Sequence, residues 1–282
     1  MTRTTRWVVA LLVLVGLGLG AYFWSRQDAP VDVPVASAPP VAEAPASAPA
    51  ASAPGAIQHP VEAIAPDAAQ AVTLPPLAES DRLVTDELSG LLGRNEVLSF
   101  LNVDGFVRRF VATVDNLARD HAASRLWPTH PTPDRILILE RADGIYLDES
   151  NAERYTPLVR FAASVDMAKA AAMYKRLYPL FQQAYEDLGY SGRYFNDRLV
   201  QVIDHLLATP ETTGPVKLTL TQVQGPIPST RPWVRYEYAD SKLEGLSAGQ
   251  KILLRVGNAN ARLLKSRLTE LRARIVASGA PR

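Results

Sequence analysis

From residue 77 onward, the apolar residues recur mostly at helical spacing. Over 107–114 and 199–206 they fall at i, i+3, i+4 and i+7, which places them on one face of a helix. A third apolar pattern runs from near Asp166 to Gly189 with Pro179 inside it, where a proline predicts a kink or a break. This part of the chain is therefore predicted to be rich in helices.

Two pairs of shorter runs predict strands. Residues 136–139 and 145–147 are apolar and flank a turn at Asp143-Gly144, which is typical of a β-hairpin. Residues 216–223 and 233–238 are expected to pair as an edge hairpin. The predicted fold class is mainly α with a small amount of antiparallel β (α+β), in one globular domain over 77–282.

Polar residues mark the predicted helix starts. Ser150 and Ser247 each precede a Glu or Gln by three positions, which is the pattern of a capping box. Thr156-Pro157 is an alternative start for the first of these helices, since proline is favoured at the first helical position. Asn258 is predicted to cap a terminal helix that runs towards Ala277.

The first apolar run of the chain is of a different kind. Residues 7–24 are 18 consecutive uncharged residues, which as a helix span about 27 Å and so nearly match a bilayer. Arg3 and Arg6 precede the run, so we predict a cytoplasmic tip at 1–6, a single inner-membrane span at 7–24 and a periplasmic C-terminal domain. A signal peptide cleaved near Ala38 is the alternative, although its apolar core would be unusually long.

The composition changes abruptly after this run. Residues 29–76 contain 16 Ala and 11 Pro and no Lys, Arg or aromatic residue, so little apolar surface is available for a core. We predict a disordered Ala/Pro-rich linker over 25–76 and interpret His59 as an incidental solvated residue. Fully extended, such a linker would reach roughly 150 Å, and as a flexible coil about 40 Å.

The overall composition excludes several classes of protein. The chain has no Cys, which excludes disulfides, thiolate metal sites and cysteine nucleophiles. Its net charge of +1 gives no electrostatic basis for binding nucleic acid. The four His are isolated, and neither a phosphate-binding loop nor His-Glu-x-x-His is present, so we expect no metal and no cofactor.

The predicted helix over 194–208 carries the candidate binding residues. They are Asp197, Arg198, Gln201, Asp204 and His205, on the side away from the apolar face or beside it. Its carboxylates, one turn apart, suit a cation or the arginine of a partner, and a solvated helix face is the alternative. We expect Asp197→Ala or Asp204→Ala to cost more than about 1 kcal/mol of stability or to weaken capture of a partner.

Two other helices offer possible surfaces. An aromatic stripe at Tyr174, Tyr178, Phe181 and Tyr185, joined by Leu188, is predicted to pack in the core rather than to stack on a glycan or peptide. The terminal helix is basic and amphipathic. It suits anionic lipid or an acidic partner, but a solvated face on a docked helix is the favoured interpretation. Its basic residues are Arg262, Lys265, Arg267, Arg272 and Arg274.

Six stretches of the chain resemble a known family. They are FVATVDNL (110–117), RYTPLV (154–159), LYPLFQ (177–182), YFNDRL (194–199), VIDHLLATP (202–210) and LSAGQK (246–251). In this order they resemble the bacterial domain of unknown function 3014, over about residues 74–277. The resemblance implies a domain carried on a single-pass envelope protein, and it implies no catalytic residues.

These features predict a membrane-anchored protein of the Gram-negative envelope that binds an envelope protein as an interaction or assembly module. The alternative is an envelope hydrolase that uses a carboxylate and a histidine from different helices. Ser247 is the serine best placed for a nucleophile, but its pattern is first that of a helix cap. A cleft that gathers His205 with an acid or a tyrosine would favour the enzyme.

Overall fold

The structure is a computed structural model that describes residues 56–61, 74–221 and 232–276. The α-helices are α1 (Asp81–Leu92), α2 (Arg94–Phe100), α3 (Phe106–Leu117), α4 (Thr156–Ser164), α5 (Met167–Asp187), α6 (Phe195–Leu207), α7 (Ser241–Glu244), α8 (Ala248–Arg255) and α9 (Asn258–Ile275). The strands are β1 (Ile138–Arg141), β2 (Gly144–Leu147), β3 (Lys217–Leu220) and β4 (Tyr236–Tyr238). The predicted α+β class is confirmed for these residues.

The described strands form one antiparallel sheet in the order β1-β2-β3-β4. Both predicted hairpins are confirmed, β1 with β2 and β3 with β4. Sequence patterns did not indicate that β2 also pairs with β3, where Ile145 lies opposite Leu218 and Tyr146 opposite Lys217. This pairing joins the two hairpins, and Leu254 of α8 packs against one face of the resulting sheet.

The aromatic stripe of α5 lies in the main core, as predicted. Tyr174, Tyr178, Phe181 and Tyr185 are all buried, and α5 continues through Pro179 without a break. Leu188 was expected on the same face and is instead 46% exposed. Leu188 is the C-cap of α5, one residue past the end of the helix at Asp187, where the buried face stops.

Two of the predicted helix starts are confirmed and one is wrong. Ser247 and Gln250 make both hydrogen bonds of a capping box at the start of α8, and Pro157 lies in the first turn of α4. Ser150 caps no α-helix. The chain before α4 forms a 3-10 segment whose cap is Asp148, which accepts the Ser150 N–H at 2.8 Å.

The predicted cap of α9 is also wrong. Gly257 occupies the cap position, with a φ of 84° that suits glycine. Asn258 is instead held by Thr212, because its Nδ2 donates to the Thr212 carbonyl at 2.8 Å. Asn258 therefore contacts a residue distant in sequence, and the neighbouring Gly257 takes the cap position.

A short piece of the predicted linker belongs to the folded domain. Val61 is 6% exposed in the main core, and both the N–H and the carbonyl of the half-buried His59 are hydrogen-bonded. The prediction of a fully disordered linker over 25–76 is therefore wrong for residues 56–61. In this segment the side chain of Val61 is buried and the backbone of His59 is hydrogen-bonded to α6.

The other N-terminal predictions concern residues that the structure does not describe. The cytoplasmic tip at 1–6, the span at 7–24 and the linker apart from 56–61 and 74–76 lie outside the described residues. Of the helices that the structure does describe, none is long and apolar enough to cross a membrane.

Candidate functional site

α6 carries all five candidate binding residues, and its apolar face fixes their positions. Leu199, Val202, Ile203 and Leu206 are buried, as their spacing predicts. The polar side chains reach four different parts of the chain. The structure brings Arg198 and Gln201 together, but it does not gather the five residues into one site.

Arg198 and Gln201 belong to a charged cluster between α3 and α6. Arg198 Nε donates to Asp115 Oδ1 at 3.0 Å, and its Nη2 donates to the Asp115 carbonyl at 2.8 Å. Its Nη1 donates to Gln201 Oε1 at 2.8 Å. The second Asp115 carboxylate oxygen accepts from Arg119 Nη2 at 2.6 Å and from Tyr190 Oη at 3.0 Å. Both oxygens of this buried carboxylate therefore have partners.

Charge pairing and burial act in opposite directions in this cluster. Burial lowers the pKa of Arg119. The charges of Asp115 and Tyr190 and the hydrogen bonds to them raise it by more than burial lowers it, so the net shift is upward. Burial, and then the hydrogen bond to Asp115, raise the pKa of Tyr190. Burial, and then the charge of Asp115, raise the pKa of Tyr185 to about 12. These groups keep their ordinary protonation states near neutral pH, which suits a structural cluster rather than proton transfer.

Sequence reasoning missed Asp115, although a signal was present. Val107, Val111 and Asp115 are spaced four residues apart on α3, so the aspartate falls in register with a buried face and is only 5% exposed. A charge on an apolar face predicts a buried partner. Which residue supplies it was not predictable, because Arg198 lies 83 residues further along the chain.

Asp197 contacts the described piece of the linker. Its Oδ2 accepts the Gln58 N–H at 3.0 Å, and its Oδ1 accepts the His59 N–H at 2.7 Å. The neighbouring Asn196, also missed from the sequence, is fully buried and donates from Nδ2 to the His59 carbonyl at 2.8 Å. A candidate for binding a partner thus holds a segment of its own chain.

Asp204 forms a two-pronged ion pair with α9. Arg272 donates from Nε and Nη2 to the two carboxylate oxygens, the second bond being 2.9 Å long. The hydrogen bonds to Asp204 raise the pKa of Arg272. An arginine of the same chain therefore occupies the place that we expected for the arginine of a partner.

Other basic residues of α9 are also paired within the chain. Arg262 binds both carboxylate oxygens of Glu211, at 2.9 and 2.6 Å. Arg267 and Arg274 both pair with Glu270. Such pairs reduce the positive charge that is available to an anionic surface, which favours the interpretation of α9 as a docked helix.

We expect Asp204→Ala to lower the free energy of unfolding by less than about 1 kcal/mol, because exposed ion pairs contribute little. The side chains of Asp204 and Arg272 are 47% and 36% exposed, so the expected cost is smaller than the sequence alone suggested. Urea unfolding of Asp204→Ala, Arg272→Ala and the double variant gives the coupling energy. A coupling above about 2 kcal/mol, or one that does not shrink in high salt, would contradict this expectation.

His205 contacts the cap of α8. Its Nε2 lies 2.9 Å from Ser247 Oγ, and the same hydroxyl accepts the Gln250 N–H at 3.3 Å. A serine beside a histidine is the arrangement of an activated nucleophile. In the described part of the chain, however, no carboxylate hydrogen-bonds to the His205 ring, and Ser247 is buried. The contact is therefore incomplete as a catalytic triad and complete as a helix cap.

Two clefts are lined by other residues. One of about 340 Å³ lies beside Asp148 and Asn258, and one of about 420 Å³ lies beside Glu87 and Arg176. Neither is lined by a candidate residue of α6. The described residues contain no group of three or more His, Asp or Glu arranged to hold a metal ion.

The structure is a helix-rich α+β domain in which the polar residues of α6 form hydrogen bonds and ion pairs with other parts of the same chain. Residues 106–272 match the family described as Protein of unknown function (DUF3014). The match covers 167 of 282 residues, so the chain belongs to this family, as the resemblance indicated. It includes all five candidate residues and leaves out residues 56–61. No curated protein and no solved structure matches the chain.

Proposed function

We propose that the chain is a single-pass inner-membrane protein whose C-terminal domain is an interaction or assembly module in the periplasm of the cell envelope. The uncharged run at 7–24 and the two arginines before it support the anchor. The Ala/Pro-rich stretch that follows supports a spacer that carries the domain away from the membrane.

Binding is favoured over catalysis because side chains with catalytic potential are occupied. Ser247 caps α8 and contacts His205, Asp115 is saturated by two arginines and a tyrosine, and Asp204 is paired with Arg272. These contacts stabilise the domain, and none of them leaves a free acid–base pair.

The observation that carries the proposal is the exposed edge of β1. Among the described strands β1 pairs only with β2. Leu137 and Leu139 point to one face and are 40% and 41% exposed. The Leu137 carbonyl accepts the Asp148 N–H, so the backbone groups of Leu137 face β2. In an antiparallel pair this direction alternates along the strand, so the backbone groups of Leu139 also face β2, whereas those of Ile138 and Glu140 point away from the sheet. We name residues 137–140 the β1 edge.

Such an edge is suited to strand addition by a partner protein. An extended segment can pair with the outward backbone groups, while apolar side chains beside the edge provide further contact. Tyr146 lies opposite Leu139 and adds an aromatic ring next to it. Arg141 lies over that ring at 4.8 Å, and tyrosine and arginine are both enriched at protein interfaces.

The location is tested by fractionating cells and sequencing the mature N-terminus. We expect the full chain in the inner membrane, released only by detergent. A mature protein that begins near residues 36–39 and stays in the soluble periplasmic fraction would overturn the anchor.

The binding site is tested with a photo-crosslinking residue at Glu140 in intact cells. We expect one crosslinked partner, reduced at least about fivefold by Leu139→Lys, because a lysine on a strand edge opposes strand addition. Leu188→Lys is the matched control, since Leu188 is similarly exposed but lies at the end of α5. Equal crosslinking in both lysine variants would exclude the β1 edge as the interface.

The 2.9 Å contact between His205 and Ser247 supports a second candidate, a hydrolase that uses this serine and histidine in place of the carboxylate and histidine expected from the sequence. It predicts turnover of activated ester substrates that is abolished by Ser247→Ala and by His205→Gln. The interaction module predicts no turnover that depends on either residue.

A further inference from the structure

Residues 56–61 are held on the N-terminal end of α6 almost entirely through their backbone. The Gln58 and His59 N–H groups donate to the two carboxylate oxygens of Asp197, at 3.0 and 2.7 Å. The His59 carbonyl accepts from Asn196 Nδ2 at 2.8 Å. The Val61 N–H donates to Tyr194 Oη at 2.8 Å.

The receiving side of this contact is fixed independently of the segment. Asn196 is 0% exposed, and its Nδ2 also donates to the Ile275 carbonyl at 3.0 Å. Its Oδ1 accepts from Tyr174 Oη at 3.1 Å, and its N–H donates to Tyr178 Oη at 3.2 Å. Two other helices, α5 through Tyr174 and α9 through Ile275, thus orient this amide towards the segment.

Only one side chain of the segment is buried. Val61 enters the main core, whereas Ile57 is 54% exposed. The chain bends at Gln58, His59 and Val61, so that two consecutive N–H groups face the same carboxylate, and Pro60 disfavours a helical conformation for the residue before it. Recognition therefore combines backbone hydrogen bonds, a proline and one β-branched residue.

We infer that the N-terminal end of α6 is a peptide-binding site for short bent segments with a Pro-Val ending, and that the chain's own residues 56–61 are its occupant. We name it the clip site, formed by Tyr194, Asn196 and Asp197. Occupied, it fastens the linker to the domain through residues 56–61. If the proposed anchor holds, closing the clip shortens the free spacer from about 50 to about 31 residues, which shortens the fully extended reach from roughly 150 to roughly 95 Å.

Occupancy is tested by amide hydrogen exchange of the detergent-solubilised full chain, which requires neither membrane nor partner. We expect the amides of Gln58, His59 and Val61 to exchange at least about tenfold more slowly than in an unfolded peptide of the same sequence. Asp197→Ala should bring them to within about twofold of that peptide. Asp204→Ala, on the same helix, is the matched control and should leave them protected.

Exchange of the segment at the unfolded rate in the unaltered chain would overturn the inference. Protection that survives Asp197→Ala would overturn it as well. Neither result bears on the anchor or on the β1 edge, so failure here is distinct from failure of the proposed function.

The class of ligand is tested by measuring how a labelled peptide of residues 55–63 binds to the full chain carrying Val61→Ser. This substitution removes the buried side chain of the chain's own segment and so should release the site. The released site should bind the peptide at least about tenfold more tightly than the unaltered chain does. Adding Asp197→Ala should abolish this gain. A cooperative thermal transition of Val61→Ser shows that the domain is folded. A folded Val61→Ser chain that does not bind the peptide would refute a peptide-binding site.

Discussion

Asp115→Ala is expected to lower the free energy of unfolding by about 3 kcal/mol. The carboxylate is buried and accepts hydrogen bonds from Arg119, Arg198 and Tyr190. Its removal leaves Arg198, whose side chain is only 19% exposed, without its charged partner. Breaking one side of a buried ion pair typically costs about 3–5 kcal/mol, because the remaining charge stays desolvated. The partial exposure of Arg119 places the value at the lower end.

Urea unfolding followed by circular dichroism measures this loss. Asp187→Ala is the matched control, since Asp187 pairs with Arg108 at 3.7 Å on the surface and should cost less than about 0.5 kcal/mol. Asp115→Leu combined with Arg198→Met should recover a large part of the loss, because no unpaired buried charge remains at Arg198. A cost below about 1 kcal/mol for Asp115→Ala would contradict a buried structural cluster.

Phe195→Ala is expected to cost about 4 kcal/mol, the largest effect that we predict. The ring is fully buried. It lies 5.4 Å from Tyr185, 6.3 Å from Phe181 and 6.5 Å from Phe110, measured between ring centroids. Truncating a buried phenylalanine removes its burial energy and leaves a cavity, which together cost about 3–5 kcal/mol.

The same unfolding measurement gives the control values. Phe195→Leu keeps most of the volume and should cost much less than the alanine variant. Leu188→Ala truncates an exposed side chain and should cost less than about 1 kcal/mol. If Phe195→Ala cost no more than Leu188→Ala, the aromatic core would not be packed as described.

Local features of the fold could be predicted from the sequence. Apolar spacing located α3, α5 and α6 because each helix buries one continuous face. The capping box at Ser247 was predictable because both of its hydrogen bonds join residues three positions apart. The pairing of β2 with β3 was not predictable, since Ile145 and Leu218 lie far apart in the chain and each strand pattern is satisfied by its own hairpin.

For the candidate site, too, the sequence predicted local helix geometry but not contacts between residues far apart in the chain. The spacing of α6 correctly separated its apolar residues from Asp197, Gln201 and Asp204. It carried no information about what those residues contact, because Arg272 lies 68 residues from Asp204 and Gln58 lies 139 residues from Asp197. The docking of residues 56–61 was missed for a further reason. A segment bound mainly through its backbone needs few distinctive side chains, and the proline and valine that it does use are also common in a spacer.

The position of Asn196 has a mechanical consequence. Its side-chain amide donates both to His59 and to Ile275, the last residue of α9. A pulling force applied to the chain before Ala56 therefore enters the domain at the junction of α6 and the end of α9, beside the aromatic core. The 3-10 turn at Leu77–Glu79 carries no load until the bonds to Tyr194, Asn196 and Asp197 have broken and Val61 has left the core. The first event under tension is thus detachment of six residues, with the helical core still intact.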